Sequence, residues 1–422
     1  MDKVTTDYGL ALLNSFSDGS YELSVNFYGT FLTMLIVLLI GRFITKEVAF
    51  LRNYDIPEPV TGGVIVALFL FSISYFNNFN VSFSGSVKDP LLLAFYATVG
   101  LTADIDSIKK GGKILIVFAI AVFLLLFVQN AIGIGVMVAL NENPLIGLLG
   151  GSITLSGGHG TGAAWGETFI KEYGFKEATD IAMACATYGL VAGGFIGGPM
   201  ANHLIKKFKL KPSDNVEYKV ESNEVFEKPE KPRLITSESF ITSLSLIGVS
   251  LFVGNFLYLI TKNTSLSLPT FVWCLFVGIV IRNTLGRAGV YKVFDREVGV
   301  IGNVALSLFL AMAIMTLNIV QLAKLALPIT ILLVIQTIAI IIYVRYVTFV
   351  ICGRDYNAAC LVAGHLGFGM GATPTAIANL QVVTNHFGPS RVSFIVVPIM
   401  GGFLVDIVNA IVIKSFLYLP FF

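Results

Sequence analysis

Ser152-Ile-Thr-Leu-Ser-Gly-Gly-His-Gly-Thr-Gly-Ala-Ala-Trp165 and Gly364-His-Leu-Gly-Phe-Gly-Met-Gly371, the latter followed by Ala372-Thr373-Pro374-Thr375, are two glycine-rich islands in an otherwise apolar chain. In the first, glycines at 157, 158, 160 and 162 are too closely spaced for an ordinary helix. In the second, the run to Gly371 is expected to break a helix, and Thr373-Pro374 to restart it, because threonine suits the N-cap and proline the first turn. A helix that starts inside a membrane leaves backbone N–H groups facing protein, a water-filled cavity or a ligand, and its positive end suits an anion. Two such tips meeting from opposite sides would form one carboxylate-binding site. The competing reading is that these glycines only let helices pack closely, but that explains neither the restart nor the duplication.

The surroundings of the islands set their solvent. Of 422 residues, 55% are hydrophobic before 41 glycines are counted, and 13% are charged, where soluble domains run to about 25%. Apolar stretches of about 20 residues exclude a water-soluble enzyme and a disordered chain. A net charge of +2 with no basic cluster outside one linker excludes nucleic acid as a partner. Cys185, Cys274, Cys352 and Cys360 lie in or beside apolar segments without CxxC spacing, so neither disulfides nor a metal cluster is expected. Asp2 and Asp7 offset Lys3, and the first apolar run begins only near Phe27, so no cleavable signal is expected.

Ten helical spans are expected near 27–43, 58–76, 90–104, 114–140, 180–205, 239–260, 268–282, 301–320, 326–350 and 392–418. Glycine-rich segments interrupt them at 145–166 and 357–380, each expected to be a re-entrant hairpin. Residues 206–238, with Lys206, Lys207, Lys209, Lys211, Pro212, Pro229 and Pro232, form a charged linker. Counting alternate sides, most of the 28 lysines and arginines share the linker's side, which makes it cytoplasmic and puts both termini outside.

A shift of 214 residues aligns about 97–197 with the second half without a gap. It pairs Ala97 with Ala311, Thr102 with Thr316, Asn143 with Asn357, Gly150 with Gly364, Gly157 with Gly371, Thr161 with Thr375 and Gly174 with Gly388; Pro57 faces Pro269 at a shift of 212. Five spans per half make the second half upside down relative to the first. The expected fold is therefore an all-α polytopic membrane protein of two inverted repeats, 27–205 and 239–418, an architecture of secondary transporters with the site at the repeat interface. Residues 1–26 are expected to be an extracellular N-terminal leader.

Polar side chains within the spans are the remaining candidates. Asp406 lies mid-span with Asn409 one turn on, and an ionisable group there costs about 2.5–3.5 kcal/mol, a cost that a sodium ion would offset. Thr154 and Ser156 add hydroxyl oxygens suited to a hard cation. Hydrogen bonds to neighbouring helices are the alternative for Asp406 and Asn409, and Asn130 reads as a packing contact. His159 stands three residues after Ser156, but no third group orients it as a base, and it serves equally as a donor to a substrate carboxylate. His365 reads as structural, near the base of the second hairpin. Glu58 reads as interfacial, and Glu167 as facing outside water.

Gly62-Gly63 after Pro57-Glu-Pro, Ser152 to Trp165, Met183-Ala-Cys-Ala-Thr187, Asn303 to Ala313, Ala363 to Leu380, and Val397-Pro398 through Asp406-Ile-Val-Asn409 together resemble the bacterial sodium/glutamate symporter family over roughly residues 27–418. The resemblance implies sodium-coupled glutamate uptake at the bacterial inner membrane, with sodium as coupling ion and no organic cofactor. It also implies re-entrant hairpins, and a homodimer with scaffold and moving transport domains. Its motifs put substrate binding on Ser156, Gly157, Gly158, His159, Gly160 and Thr161, and on Gly369, Gly371, Ala372, Thr373, Pro374 and Thr375. Citrate or another dicarboxylate is the competing substrate. An anion channel and an intramembrane hydrolase built on Ser156 and His159 rank lower.

Overall fold

The structure, a computed structural model, describes residues 3–7, 11–16, 21–53, 56–212, 234–264, 268–284 and 293–420. Most of the charged linker, 213–233, lies outside the described residues.

The fold is not all-α. Strands β1 (Lys3–Asp7), β2 (Ala11–Phe16) and β3 (Tyr21–Val25) make an antiparallel meander, and helices α1 (Phe27–Glu47), α2 (Ala49–Asn53) and α3 (Glu58–Asn77) follow it. Strand β4 (Phe79–Phe83) then pairs parallel to β3, with Leu23 opposite Val81. Leu23 and Val25 alternate with Glu22 and Ser24, a strand pattern, but the partner strand is a short loop more than fifty residues on. A parallel pair needs a crossover, and here α1 and α3 supply it, so Val25 and Phe79 lie at the same end of that helix pair.

The chain continues through α4 (Lys88–Thr102), α5 (Ile105–Ala139, kinked where Gly112 takes φ 58°), α6 (Pro144–Leu148) with a π-helical turn at Leu149–Ile153, α7 (Gly158–Tyr173) and α8 (Ala178–Phe208). After the linker come α9 (Ser237–Thr261), α10 (Thr270–Thr284), α11 (Asp295–Met315), α12 (Ile319–Lys324) and α13 (Ala326–Tyr343). A π-helical turn at Val344–Thr348 leads into α14 (Phe349–Ile351). Then come α15 (Tyr356–Met370), α16 (Thr373–Phe387), α17 (Arg391–Ile399), a third π-helical turn at Met400–Leu404, and α18 (Val405–Leu417). Local chemistry sets the ends. Asn26 caps α1 through Gly29 N at 3.0 Å, Thr236 and Ser239 form a capping box on α9, and Asp355 caps α15 through Ala358 N at 2.7 Å.

Among the described residues, eight helical stretches are long and apolar enough to cross a membrane. The other two expected spans, α4 and α10, have 15 residues each, about 22 Å, short of a hydrocarbon core of about 30 Å. They pack on each other so closely that a Cβ on Gly100 would come within 2.2 Å of the Leu275 carbonyl oxygen. The helices form two groups. α1, α3, α4 and α9–α11 enclose cores around Met34, Met312 and Ala97, while α5, α8 and α13–α17 enclose another around Phe118 and Phe368. A fourth core joins them, with Leu92, Tyr96, Phe271 and Phe309 packed among Leu149, Trp165 and Ile181. Lys88 Nζ crosses the same boundary to Glu167 Oε1 at 2.5 Å. Glu167 is buried, and Thr179 also donates to it at 3.1 Å, so it does not face water; its cation lies 79 residues away in sequence. Glu58 pairs with Arg42 at 3.1 Å on the surface, in keeping with an interfacial place. The four cysteines are buried thiols.

Candidate functional site

The two glycine islands meet. α7 begins at Gly158 (φ 67°), and a Cβ there would lie 3.1 Å from the Gly371 carbonyl oxygen, at the break between α15 and α16. The breaks are narrower than the glycine spacing suggests. α7 stays helical through Gly160 and Gly162, because those glycines admit Phe95 and the Thr154 methyl, whose atoms would lie 2.8 Å from a Cβ. α15 likewise runs unbroken to Met370, and Gly364 and Gly367 make room for Val397 and Ala376. Close packing therefore accounts for these four glycines, while the turn before Gly158 and the break at Gly371 remain as true interruptions. Both arms extend beyond the expected 145–166 and 357–380, ending at Gly174 (φ 68°) and Gly388 (φ 114°), which the 214-residue shift pairs.

Both half-helix starts lack a side-chain cap. The cap position of α16 is Ala372, with extended backbone, and not Thr373. Thr373 is the first helical residue, Pro374 the second, and the Thr373 hydroxyl donates to the Gly401 carbonyl at 2.7 Å. That carbonyl lies in the third π-helical turn, just after Pro398, where the helix's own hydrogen bonding is disturbed. Thr375 Oγ1 is buried without a hydrogen-bond partner among the described residues. Uncapped N–H groups at two converging helix starts, with a free hydroxyl beside one of them, suit an anionic group.

Around the tips, polar side chains form separate chains of hydrogen bonds. Tyr96 donates to Thr161 Oγ1 at 3.0 Å, and Thr161 donates to Asp406 Oδ1 at 3.1 Å, which ties α4, α7 and α18 together. Asn409 accepts from Ser152 Oγ at 2.6 Å and donates to the Ser152 carbonyl at 2.9 Å, while Asn130 accepts from Ser152 N at 2.9 Å. Asn130 is thus a packing contact to the first π-helical turn. Ser156 donates to Gln129 Oε1 at 2.7 Å, and Thr154 to the Leu149 carbonyl at 2.6 Å. Of the four residues expected to bind sodium, Asp406 reaches Thr161 and Asn409 reaches Ser152. Thr154, Ser156, Asp406 and Asn409 form no hydrogen bond with one another.

His159 Nε2 lies 3.1 Å from Thr187 Oγ1, and Ser156 is bonded to Gln129, so the serine and histidine make no nucleophile–base pair. His365 is wholly buried, bonded to Thr348 at 3.0 Å and enclosed by Phe118, Phe368 and Tyr343 within α15, a structural place deeper than the end of that helix. Gln129 and Tyr96 were not singled out in the sequence. A lone glutamine or tyrosine in an apolar span has no spacing signal, and only the fold brings them to the tips.

Apolar spans carrying two helix breaks that meet define a polytopic membrane protein built as secondary transporters are. The model of the family described as sodium/glutamate symporter matches residues 23–389. The chain belongs to that family. It is 51% identical over 396 residues to the sodium/glutamate symporter of Escherichia coli (strain K12), covering 93% of this chain and 98% of that one. It is 44% identical over 395 residues to the sodium/glutamate symporter of Haemophilus influenzae, covering 94% and 97%. Among solved structures, the sodium proton antiporter MjNhaP1 from Methanocaldococcus jannaschii is similar at 14% identity and a TM-score of 0.40, over 92% of this chain and 96% of its own.

Proposed function

We propose that this chain is a multi-pass symporter of the bacterial inner membrane that imports glutamate with sodium by alternating access. The observation that carries the site is the meeting of two uncapped half-helices at Gly158 and Gly371. Residues Ser156 to Thr161 and Gly369 to Thr375 hold the substrate there, their N–H groups and the Thr375 hydroxyl receiving a carboxylate and His159 donating from beside Thr187. Sodium is assigned to Asp406. Ser156 and Thr154 give only their hydroxyl protons to Gln129 and Leu149, so their oxygen lone pairs stay free to complete its shell together with Asn409 Oδ1.

The halves are read as inverted repeats with re-entrant hairpins. α5 and α12 begin 214 residues apart, at Ile105 and Ile319, and α3 and α10 begin 212 apart, at Glu58 and Thr270. Gln336 of α13 donates to the Gln129 carbonyl at 2.6 Å and Tyr343 to that of Ala121 at 2.8 Å, so these corresponding helices run antiparallel. Exchanging the halves also reproduces a contact: Gly63 packs on Ile314, and their counterparts, Leu275 and Gly100, pack on each other. Each observation supports a two-fold relation lying in the membrane plane. The fixed part of an elevator is placed in α1, α3, α4 and α9–α11, where two copies join as a homodimer, and the moving part in α5–α8 and α13–α18. Both termini lie outside, as the lysine and arginine bias supports.

Purified protein in proteoliposomes tests the reading. Labelled glutamate should accumulate under an inward sodium gradient and not under a potassium gradient. Accumulation of citrate in place of glutamate selects the dicarboxylate reading, and accumulation of neither overturns sodium-coupled uptake.

A further inference from the structure

Gln129 joins the two tips. Its Oε1 accepts from Ser156 Oγ at 2.7 Å, beside the start of α7, and its Nε2 donates to the Gly369 carbonyl at 2.8 Å, just before the break at Gly371. The side chain is 2% exposed, so neither bond competes with bulk water. Its position along α5 is also fixed. Gln336 donates to its main-chain carbonyl at 2.6 Å, and the adjacent Asn130 holds Ser152 on the other side of the first break. α5 therefore carries one side chain that touches both interruptions at once.

A planar carboxamide presents an acceptor and a donor in one rigid head. Glutamate of the same length, when ionised, offers two acceptors and sets one against the Gly369 carbonyl. Methionine offers neither strong group. We propose that Gln129 is a positioning residue that holds the two half-helix starts in register, so that a substrate meets both together, and that it sets affinity without touching the substrate. The proposal rests on the reading of the two tips as one site. Without the bridge each start still forms, but the substrate must bring them together itself, and the observed affinity falls by the fraction of molecules already in register.

Two measurements test it. In proteoliposomes at saturating sodium, Gln129→Met should raise the KM for glutamate at least tenfold with the maximal rate per folded protein little changed. A merely structural contact would lower the amount of folded protein and leave KM alone. Gln336→Met, which keeps both bridges, should change KM less than threefold; an effect equal to that of Gln129→Met would mean general loosening of the α5 and α13 crossing and would overturn the assignment. Independently of transport, spin labels at exposed positions of α7 and α16, in Lys171→Cys and Gln381→Cys, should show a wider distance distribution once Gln129→Met is added. That readout stands even if glutamate is not the substrate. Gln129→Glu gives the same two readings if the methionine variant does not fold. Unchanged KM and an unchanged distance distribution in a folded variant overturn the proposal.

Discussion

Single residues at the tips carry testable weight. A side chain at Gly371 would start 3.0 Å from both the Leu190 Cα and the Gly367 carbonyl oxygen, so Gly371→Leu has to push α8 away from the break and should raise the glutamate KM tenfold or more. Thr375→Val removes a hydroxyl that is buried and has no partner among the described residues. Its loss should therefore leave the melting temperature unchanged or slightly higher while weakening glutamate about fivefold, the worth of roughly 1 kcal/mol for one net hydrogen bond. Normal affinity in both purified variants would remove the second break from the site. Asp406→Asn keeps a group that Thr161 can bond but withdraws the charge a hard cation prefers. The sodium half-saturation should rise at least fivefold at saturating glutamate, and an unchanged value would leave Asp406 as a partner of Thr161 alone. At this scale the sequence was uneven. The glycines of the breaks and the place of Asp406 are visible in it, because glycine clusters and lone charges stand out in apolar spans. Gln129 is not, and Glu167 misleads, because its burial depends on Lys88 arriving from another helix.

At the scale of elements, hydrophobic length located every long helix, glycine spacing found both interruptions, and the shift of 214 residues paired them. What it could not give was their extent, since a glycine admitting a neighbouring side chain and a glycine ending a helix look alike until the neighbour is placed; Gly367 and Gly371 are such a pair. The strands of residues 3–25 were hidden for a similar reason, because β3 pairs with β2 on one edge but needs, for its other edge, a segment that follows α3. The proposed inversion of two re-entrant hairpins has its own test. With the four buried cysteines replaced, Glu172→Cys at the exposed end of α7 should react with a membrane-impermeant maleimide in intact cells, and Gln381→Cys on α16 only in inverted vesicles. The label on α7 needs such an exposed position, since Glu167 is closed off by Lys88 and Thr179. Labelling of both positions from one face would contradict inverted hairpins.

For the whole molecule, the balance of charge moved decides how strongly the membrane potential drives uptake. Glutamate carries one net negative charge at neutral pH, so a single sodium ion makes entry electroneutral. A second would add about 2.3 kcal/mol per 100 mV, and uptake should therefore be electrogenic, with more than one sodium per glutamate. Rates that ignore an imposed potassium-diffusion potential would refute this. The sheet has a consequence of another kind, for the order in which the molecule is made. β3 leaves the ribosome before α1, yet its parallel neighbour β4 appears only after α3. Until the chain has gone across the bilayer and come back, the exposed edge of β3 has nothing to pair with. Closure of that strand pair thus follows insertion of the first two spans, and the finished sheet keeps a record that the end of α3 came back to the side on which α1 began.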